Sequence, residues 1–273
     1  LVTGVQTCAL PICQWPLMAE KLARAFWPGP LTLVLPKSRE IPDIVTAGGP
    51  TVAVRWPQHP FMQSVIRAAG FPVAAPSANL SNQVSPTNAQ HVASQLGEAI
   101  DCIVDGGQCQ VGIESTVVDV TGPVPRILRP GMISADDIRR ITEGSVETAS
   151  RQTEDGGTGP LPSPGLLARH YSPRARLLLL SWTSEEELER LLAGHGIRPE
   201  DRTWIIAWKR IPRSGRFPHV SVIPDDAEAF ARALYAELHR CDEADARVIV
   251  VEDVPSTAEW AGIRDRLGRA ATA

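Results

Sequence analysis

Apolar side chains recur at helical spacing from Leu17 to Phe26. Leu17, Met18, Leu22, Ala25 and Phe26 fall on one side, and Pro28-Gly29-Pro30 ends the run. Short runs rich in Val, Ile, Leu and Thr then predict strands at Leu31–Leu35, Thr51–Arg55, Val73–Ala75, Ile103–Val104, Thr116–Val120 and Ile127–Leu128. Between them the spacing predicts a helix over Phe61–Ala69, stopped by Gly70. A second helix over Asn88–Leu96 takes Thr87 as its cap. A third, Asp136–Ile141, follows Ser134 and carries acids in its first turn, where the helix dipole favours them. This half reads as a compact α+β or α/β domain of short elements.

From Glu143 to Pro164 the chain is polar and rich in Gly, Pro, Ser and Thr, which predicts a linker. A second pattern begins at Ala175. It predicts strand Arg176–Leu180 and helix Glu185–Leu192, with Ser184 and Glu187 as a capping box. Strands Trp204–Ala207 and Val220–Ile223, helix Ala227–His239, strand Arg247–Val251 and helix Ala261–Ala270 follow. Strands alternating with helices predict a small parallel-sheet α/β domain. The first thirteen residues, LVTGVQTCALPIC, show no clear period and hold two of the five cysteines. They read as foreign or mis-framed sequence, the alternative being a real N-terminal strand. The expected division is therefore 1–13, 14–142, 143–174 and 175–273.

Composition narrows the function classes. The chain has 273 residues and is 43% hydrophobic, enough for one large or two modest cores. Fifteen of its 24 prolines lie in the first 130 residues, which fits short elements there. A net charge of -4 argues against a histone-like polyanion binder, and residues 14–142 carry ten basic and ten acidic side chains. No apolar run approaches the ~18–20 residues of a membrane span, so no membrane role is expected. Five cysteines without a C-x-x-C pair predict neither a disulfide framework nor structural zinc, and point to the cytoplasm. The six histidines lack metal-ligand spacing, and Cys102 and Cys109 read as core or loop thiols rather than nucleophiles.

Polar residues where strands end are the candidate chemistry. Arg55 closes the apolar run TVAVR and is suited to a two-pronged grip on a carboxylate or phosphate; the plainer reading is a pair with a surface acid. The run FPVAAPSANLS breaks at Pro76 into a turn with Ser77, Asn79 and Ser81, which also suits simple turn-making. Ser85-Pro-Thr87 places hydroxyls before a helix, for an anion or for capping. A glycine-rich stretch from Asp105 leads through Gly112 to Glu114-Ser115-Thr116 and matches neither the phosphate-loop nor the dinucleotide fingerprint. Arg126-Ile-Leu-Arg129 is a second strand ending in arginine.

Taken in order, these segments resemble the threonylcarbamoyl-adenylate synthase family, whose catalytic part is the YrdC-like domain. The matching stretches are FWPGPLTLVL at 26–35, TVAVRWPQHP at 51–60 and FPVAAPSANLSNQVSPT at 71–87. IVDGG at 103–107, GIESTVVDV at 112–120 and RILRPGMIS at 126–134 continue the series. SPGLLARHYSP at 163–173 is similar to the linker of the two-domain members, and GIRDRLGRAA at 262–271 to their last helix. The implied fold is a twisted-sheet α/β YrdC-like domain with a small Rossmann-like α/β domain after it.

The resemblance implies that L-threonine, bicarbonate and ATP give threonylcarbamoyl-AMP and pyrophosphate, with Mg2+ accompanying the ATP. Other proteins then pass the threonylcarbamoyl group to tRNA. By position, Arg55, Ala75 (through its backbone) and Ser115 would hold threonine. Thr51, Ser77, Asn79, Ser85, Arg129, His170 and Tyr171 would contact ATP. No covalent nucleophile and no protein metal site are implied. The family's N-terminal Pro-Thr-Glu-Thr strand and Lys-x-Arg segment find no counterpart, which predicts a weak or inactive chain. Two other readings are an RNA-binding module, disfavoured by the balanced charge, and a hydrogenase-maturation accessory, disfavoured by the lack of Cys-x-x-Cys pairs.

Overall fold

The computed structural model describes residues 13–149, 171–198 and 201–271, and the backbone of 2–3. Two compact units emerge. One takes Leu1–Pro76 and Glu114–Ala168, the other Ser77–Ile113 and Arg169–Ala273. The second unit thus takes in residues 77–113, a stretch that chain order alone would leave with the first.

The first unit is built on a mixed seven-stranded sheet. Its strands are β1 (Val2–Thr3), β2 (Leu31–Pro36), β3 (Thr51–Arg55), β4 (Val73–Ala74), β5 (Thr116–Asp119), β6 (Arg126–Arg129) and β7 (Glu147–Thr148), in spatial order β4-β1-β3-β2-β5-β6-β7. β1 lies parallel to β3 and antiparallel to β4, so Val2 and Thr3, from the segment set apart by pattern, are sheet residues. Cys13 is buried in the same core. Leu31, Leu33, Leu35, Val52 and Val54 share one sheet face with Val118 and Ile127. Helices α1 (Leu17–Phe26) and α4 (Ala135–Thr142) cover that face with Ala19, Leu22, Ala23 and Ile138. Helix α4 opens on a full capping box, Ser134 with Asp137. Helix α2 (Pro60–Ala69) ends at left-handed Gly70.

The second unit holds a four-stranded parallel sheet in the order β10-β9-β11-β8. Its strands are β8 (Arg176–Leu180), β9 (Thr203–Ala207), β10 (His219–Val222) and β11 (Val248–Glu252). Helices α5 (Glu185–Gly194), α6 (Ala227–Glu243) and α7 (Ala261–Ala270) join them, as the alternating pattern predicts; α3 (Ala89–Leu96) belongs to this unit too. Among the described residues no helix is long and apolar enough to cross a membrane.

Four local expectations are corrected. Ile103–Val104 is not a strand: Val104 is exposed, and Asp105 accepts the Gly107 N–H at 2.8 Å, which makes a turn instead. Asn88, not Thr87, caps α3, accepting the His91 N–H at 2.9 Å. The box expected at α5 is half formed, because the Glu187 carboxylate takes the Thr183 N–H at 2.7 Å rather than that of Ser184. The start of the expected linker pairs as β7 beside β6.

Candidate functional site

Strand register assembles a polar row at one end of the first unit's sheet. Leu33 pairs with Val54 in antiparallel fashion, so the next step brings Thr32 beside Arg55 on the same face. Thr32 also pairs with Val117, and Val117 with Arg129. Register therefore brings Arg55, Thr32, Val117 and Arg129 to one level across four strands, and Ser115, two residues before Val117 on the same face, joins the row through its hydrogen bonds. Hydrogen bonds lock the row. Thr32 Oγ1 and Ser115 Oγ lie 2.7 Å apart. Arg129 donates through Nε and Nη2 to the Ser115 carbonyl at 3.2 and 3.1 Å, and through Nη2 to Ser115 Oγ at 3.3 Å.

Burial sorts these groups. Ser115 and Arg129 are only 2% and 4% exposed, whereas Arg55 and Thr51 are half-buried. The buried pair fixes the geometry and the half-buried guanidinium can meet a ligand. Thr51 points to the same face as Arg55, by the two-residue period of a strand, but four residues away, roughly 13 Å. Between them sits Ala53, whose small side chain packs with Val34, Val117 and Leu128. Ala75 directly follows β4 and is half-buried. Val73 pairs with Thr3 and Thr3 with Arg55, so Ala75 falls level with Ala53, two strands across.

The turns that frame the row are equally constrained. Gly29 donates its N–H to the Trp56 carbonyl at 2.9 Å, tying the loop before β2 to the residue after Arg55. A side chain at Gly29 would stand 2.3 Å from the Phe26 carbonyl oxygen. At Gly131 a Cβ would meet the Thr116 nitrogen at 2.5 Å. Thr116 in turn bonds both backbone groups around Ile133, accepting its N–H at 3.1 Å and donating to its carbonyl at 2.9 Å. Glycine is required at both positions because another backbone passes there.

Ser77, Asn79, Ser85 and Tyr171 belong to the second unit. Ser77 is exposed. Asn79 Nδ2 donates to the carbonyls of Leu80 and Gln83 at 2.8 and 3.2 Å, and its buried Oδ1 accepts no hydrogen bond among the described residues. The Ser85 carbonyl accepts from His239 Nε2 at 3.1 Å. Tyr171 is buried at 1% exposure, beside the Tyr235 ring and beneath the Arg266 guanidinium, 5.2 Å from its ring centre. His170 lies outside the described residues. Sequence reasoning overlooked Thr32, though a lone hydroxyl inside the apolar run LTLVL was a signal for it. It also overlooked His91 and His239, which carried none.

Among the described residues the two buried thiols are unreactive. Burial pushes the Cys13 thiol up to about 11 and the Cys241 thiol up to about 12, so both stay protonated. Among the described residues no group of three or more His, Cys, Asp or Glu converges on a point that could hold a metal ion.

Comparison with known proteins gives this geometry its family. The model described as "Telomere recombination" (Sua5/YciO/YrdC) matches residues 3–131, and the one described as "Threonylcarbamoyl-AMP synthase, C-terminal domain" matches residues 133–272. The chain belongs to the threonylcarbamoyl-AMP synthase family. A threonylcarbamoyl-AMP synthase of Pyrococcus abyssi is 35% identical over 270 residues, covering 93% of this chain and 74% of the relative. One of Bacillus subtilis is 36% identical over 265 residues, covering 94% and 73%. A crystal structure of P. abyssi Sua5 complexed with L-threonine superposes with a TM-score of 0.86 at 34% identity, covering 99% of this chain and 79% of that one. Within the synthase family, then, the polar row lies in the part matched by the first model and α6 in the part matched by the second.

Proposed function

We propose that this chain forms threonylcarbamoyl-AMP and pyrophosphate from L-threonine, bicarbonate and ATP, and that the row of Arg55, Thr32, Ser115 and Arg129 is its amino-acid end. The supporting observation is that row itself: a half-buried guanidinium beside two bonded hydroxyls and a second, buried guanidinium. Arg55 grips the threonine carboxylate through two N–H donors. Ser115, oriented by Thr32 and Arg129, meets the amino acid's polar end, and the Ala75 backbone closes that pocket. Thr51, Ser77, Asn79, Ser85, Arg129, His170 and Tyr171 serve the nucleotide. The unsatisfied Asn79 Oδ1 supports this, since a buried acceptor gains most by meeting a donor such as an exocyclic amine.

The reaction needs placement more than a reactive side chain. The threonine amine adds to the bicarbonate carbon with loss of water, giving a carbamate. A carbamate oxygen then bonds the α-phosphorus as the α–β phosphoanhydride bond breaks, and pyrophosphate leaves with the electron pair. Holding the carbamate away from bulk water against the α-phosphate supplies the rate, through orientation and fixed dipoles. Magnesium arrives with the nucleotide as part of the substrate and neutralises phosphate charge. The product passes to proteins that modify tRNA, and the setting is the cytoplasm.

Calorimetric titration with L-threonine tests the assignment. Arg55→Ala leaves the substrate carboxylate without its partner, a cost of about 3–5 kcal/mol that puts affinity down a hundredfold or more. Unchanged threonine affinity in that variant would remove Arg55 from the site.

A further inference from the structure

Helix α6 gathers separate segments of the second unit along one strip of its surface. Ala231, Arg232, Tyr235, His239 and Asp242 follow helical spacing. At the first end, Gly112 lies against the helix backbone, where a Cβ would stand 2.0 Å from the Ala231 carbonyl oxygen. Arg232 Nε donates to the Gln110 carbonyl at 3.0 Å. In the middle, the Tyr235 ring stacks with Tyr171, centroids 6.0 Å apart. At His239, Nε2 donates to the Ser85 carbonyl at 3.1 Å, and the ring stacks on His91 at 3.8 Å. At the far end, the Asp242 carboxylate accepts the N–H groups of Arg174 and Ala175 at 2.9–3.2 Å.

The tautomers follow from the partners. A carbonyl can only accept, so His239 carries its proton on Nε2. The Thr87 N–H can only donate, at 3.3 Å, so His91 Nδ1 is bare. The two rings are thus keyed to one arrangement of residues 85–91. The neighbouring chain is tied in turn, with the Ser172 N–H bonding the Asn82 carbonyl at 3.0 Å.

We propose that α6 is a splint for the nucleotide-binding segment, with His239 and Arg232 as positioning residues for ATP. The proposal rests on the reading that Ser77, Asn79 and Ser85 serve the nucleotide. The splint holds the stretch 77–113 that carries these residues, Ser85 through His239 and Gln110–Gly112 through Arg232 and the helix backbone. It gives the C-terminal region a part in ATP binding that requires no residue of that helix to touch the nucleotide.

Steady-state pyrophosphate release tests it through the Michaelis constants. His239→Leu removes the bond to Ser85, and the KM for ATP is expected to rise about tenfold while that for L-threonine stays put. His239→Gln returns an N–H near the Nε2 position and should recover most of the loss. Arg232→Ala, at an exposed site that does not threaten folding, should raise the ATP KM about two- to threefold. Equal rises for ATP and threonine, or no ATP rise in Arg232→Ala, would overturn the splint. Ser85→Ala separates the two ideas. A normal ATP KM in that variant removes Ser85 from the nucleotide site but leaves the splint standing on its own split. A raised ATP KM there, with no split in the His239 and Arg232 variants, removes the splint alone.

Discussion

In the first unit Ser115 reaches Thr32 across 83 positions of sequence, and Arg129 reaches back to Ser115 from the neighbouring strand. In the second unit the Asp265 carboxylate bonds Arg266 at 2.7 Å and Arg269 at 3.1 Å, one and four positions along the same helix. Both units bury arginine. Among the described contacts, the first bonds its guanidinium to the carbonyl and hydroxyl of a serine on the neighbouring strand, and the second pairs two guanidiniums with a carboxylate of the same helix. The contrast separates a charge set by strand register from charges set by helical spacing. Charge aligned by register is held where several strands meet, with Arg129 itself buried and the half-buried Arg55 at the same level. Charge paired within α7 is spent on holding the helix down.

That difference is sharpest under substitution of the local cluster. Asp265→Asn leaves Arg266 and Arg269, 0% and 4% exposed, without their carboxylate. Breaking a buried pair in this way costs about 3–5 kcal/mol. The expected outcome in urea unfolding is the largest stability loss of any variant considered, with normal threonine affinity in whatever fraction folds. A variant as stable as the parent would mean that the α7 arginines are not a core device.

Gly131 probes the register side. A Cβ there would lie 2.5 Å from the Thr116 nitrogen and 2.9 Å from the Glu114 carbonyl oxygen, so Gly131→Ala must move the start of β5. The cost of such overpacking is about 1–3 kcal/mol. Because Ser115 sits between Glu114 and Thr116, the same change should also weaken threonine binding. Gly194 at the end of α5 is the control: a Cβ there meets nothing within 4 Å, and Ala should be neutral or slightly stabilising. If both alanine variants keep parental stability and threonine affinity, the tight fit around β5 is not what holds the row.

The sequence disclosed elements better than meetings between them. Helices α1 and α7 and strands β3 and β8 fall on the residues that periodicity picks out; for α1 the apolar stripe records the buried face, and for α7 the pattern found the helix without its buried charges. Arg55 and Arg129 stood out as charges ending apolar runs. Thr32 did not, since its role depends on the partner opposite it, and register is set by pairing rather than by its own strand. The move of 77–113 into the second unit was illegible for the same reason. Gly112 looks like one more loop glycine until α6 lies against it. Local capping misled only slightly: Thr87, Asn88 and Ser184 all fit the cap rules, and geometry chose among them.

The smallest effect concerns the histidine pair, which belongs to the second unit's long-range contacts rather than its local ones; Ser85 and His239 are 154 positions apart. Burial is the main cause that holds both imidazoles below the usual histidine range, and His239 lowers His91 further. Glu243 pulls His91 upward, and the Ser85 carbonyl, Asp242 and Glu243 pull His239 upward, without offsetting the burial. A histidine with a depressed folded value stays neutral in the folded state while the unfolded chain takes up a proton below about 6.5. Stability is therefore fully present above that pH and declines as pH falls through it toward the folded value. Urea midpoints at pH 7 and pH 5.5 should differ more for the parent than for a His91→Gln, His239→Gln double variant, carboxylates contributing mainly at lower pH. Parallel slopes would show that the pair carries no proton linkage. The splint would then rest on hydrogen bonds and packing alone, and the His239–Ser85 contact would behave, like the serine–threonine pair of the first unit, as a matter of shape rather than charge.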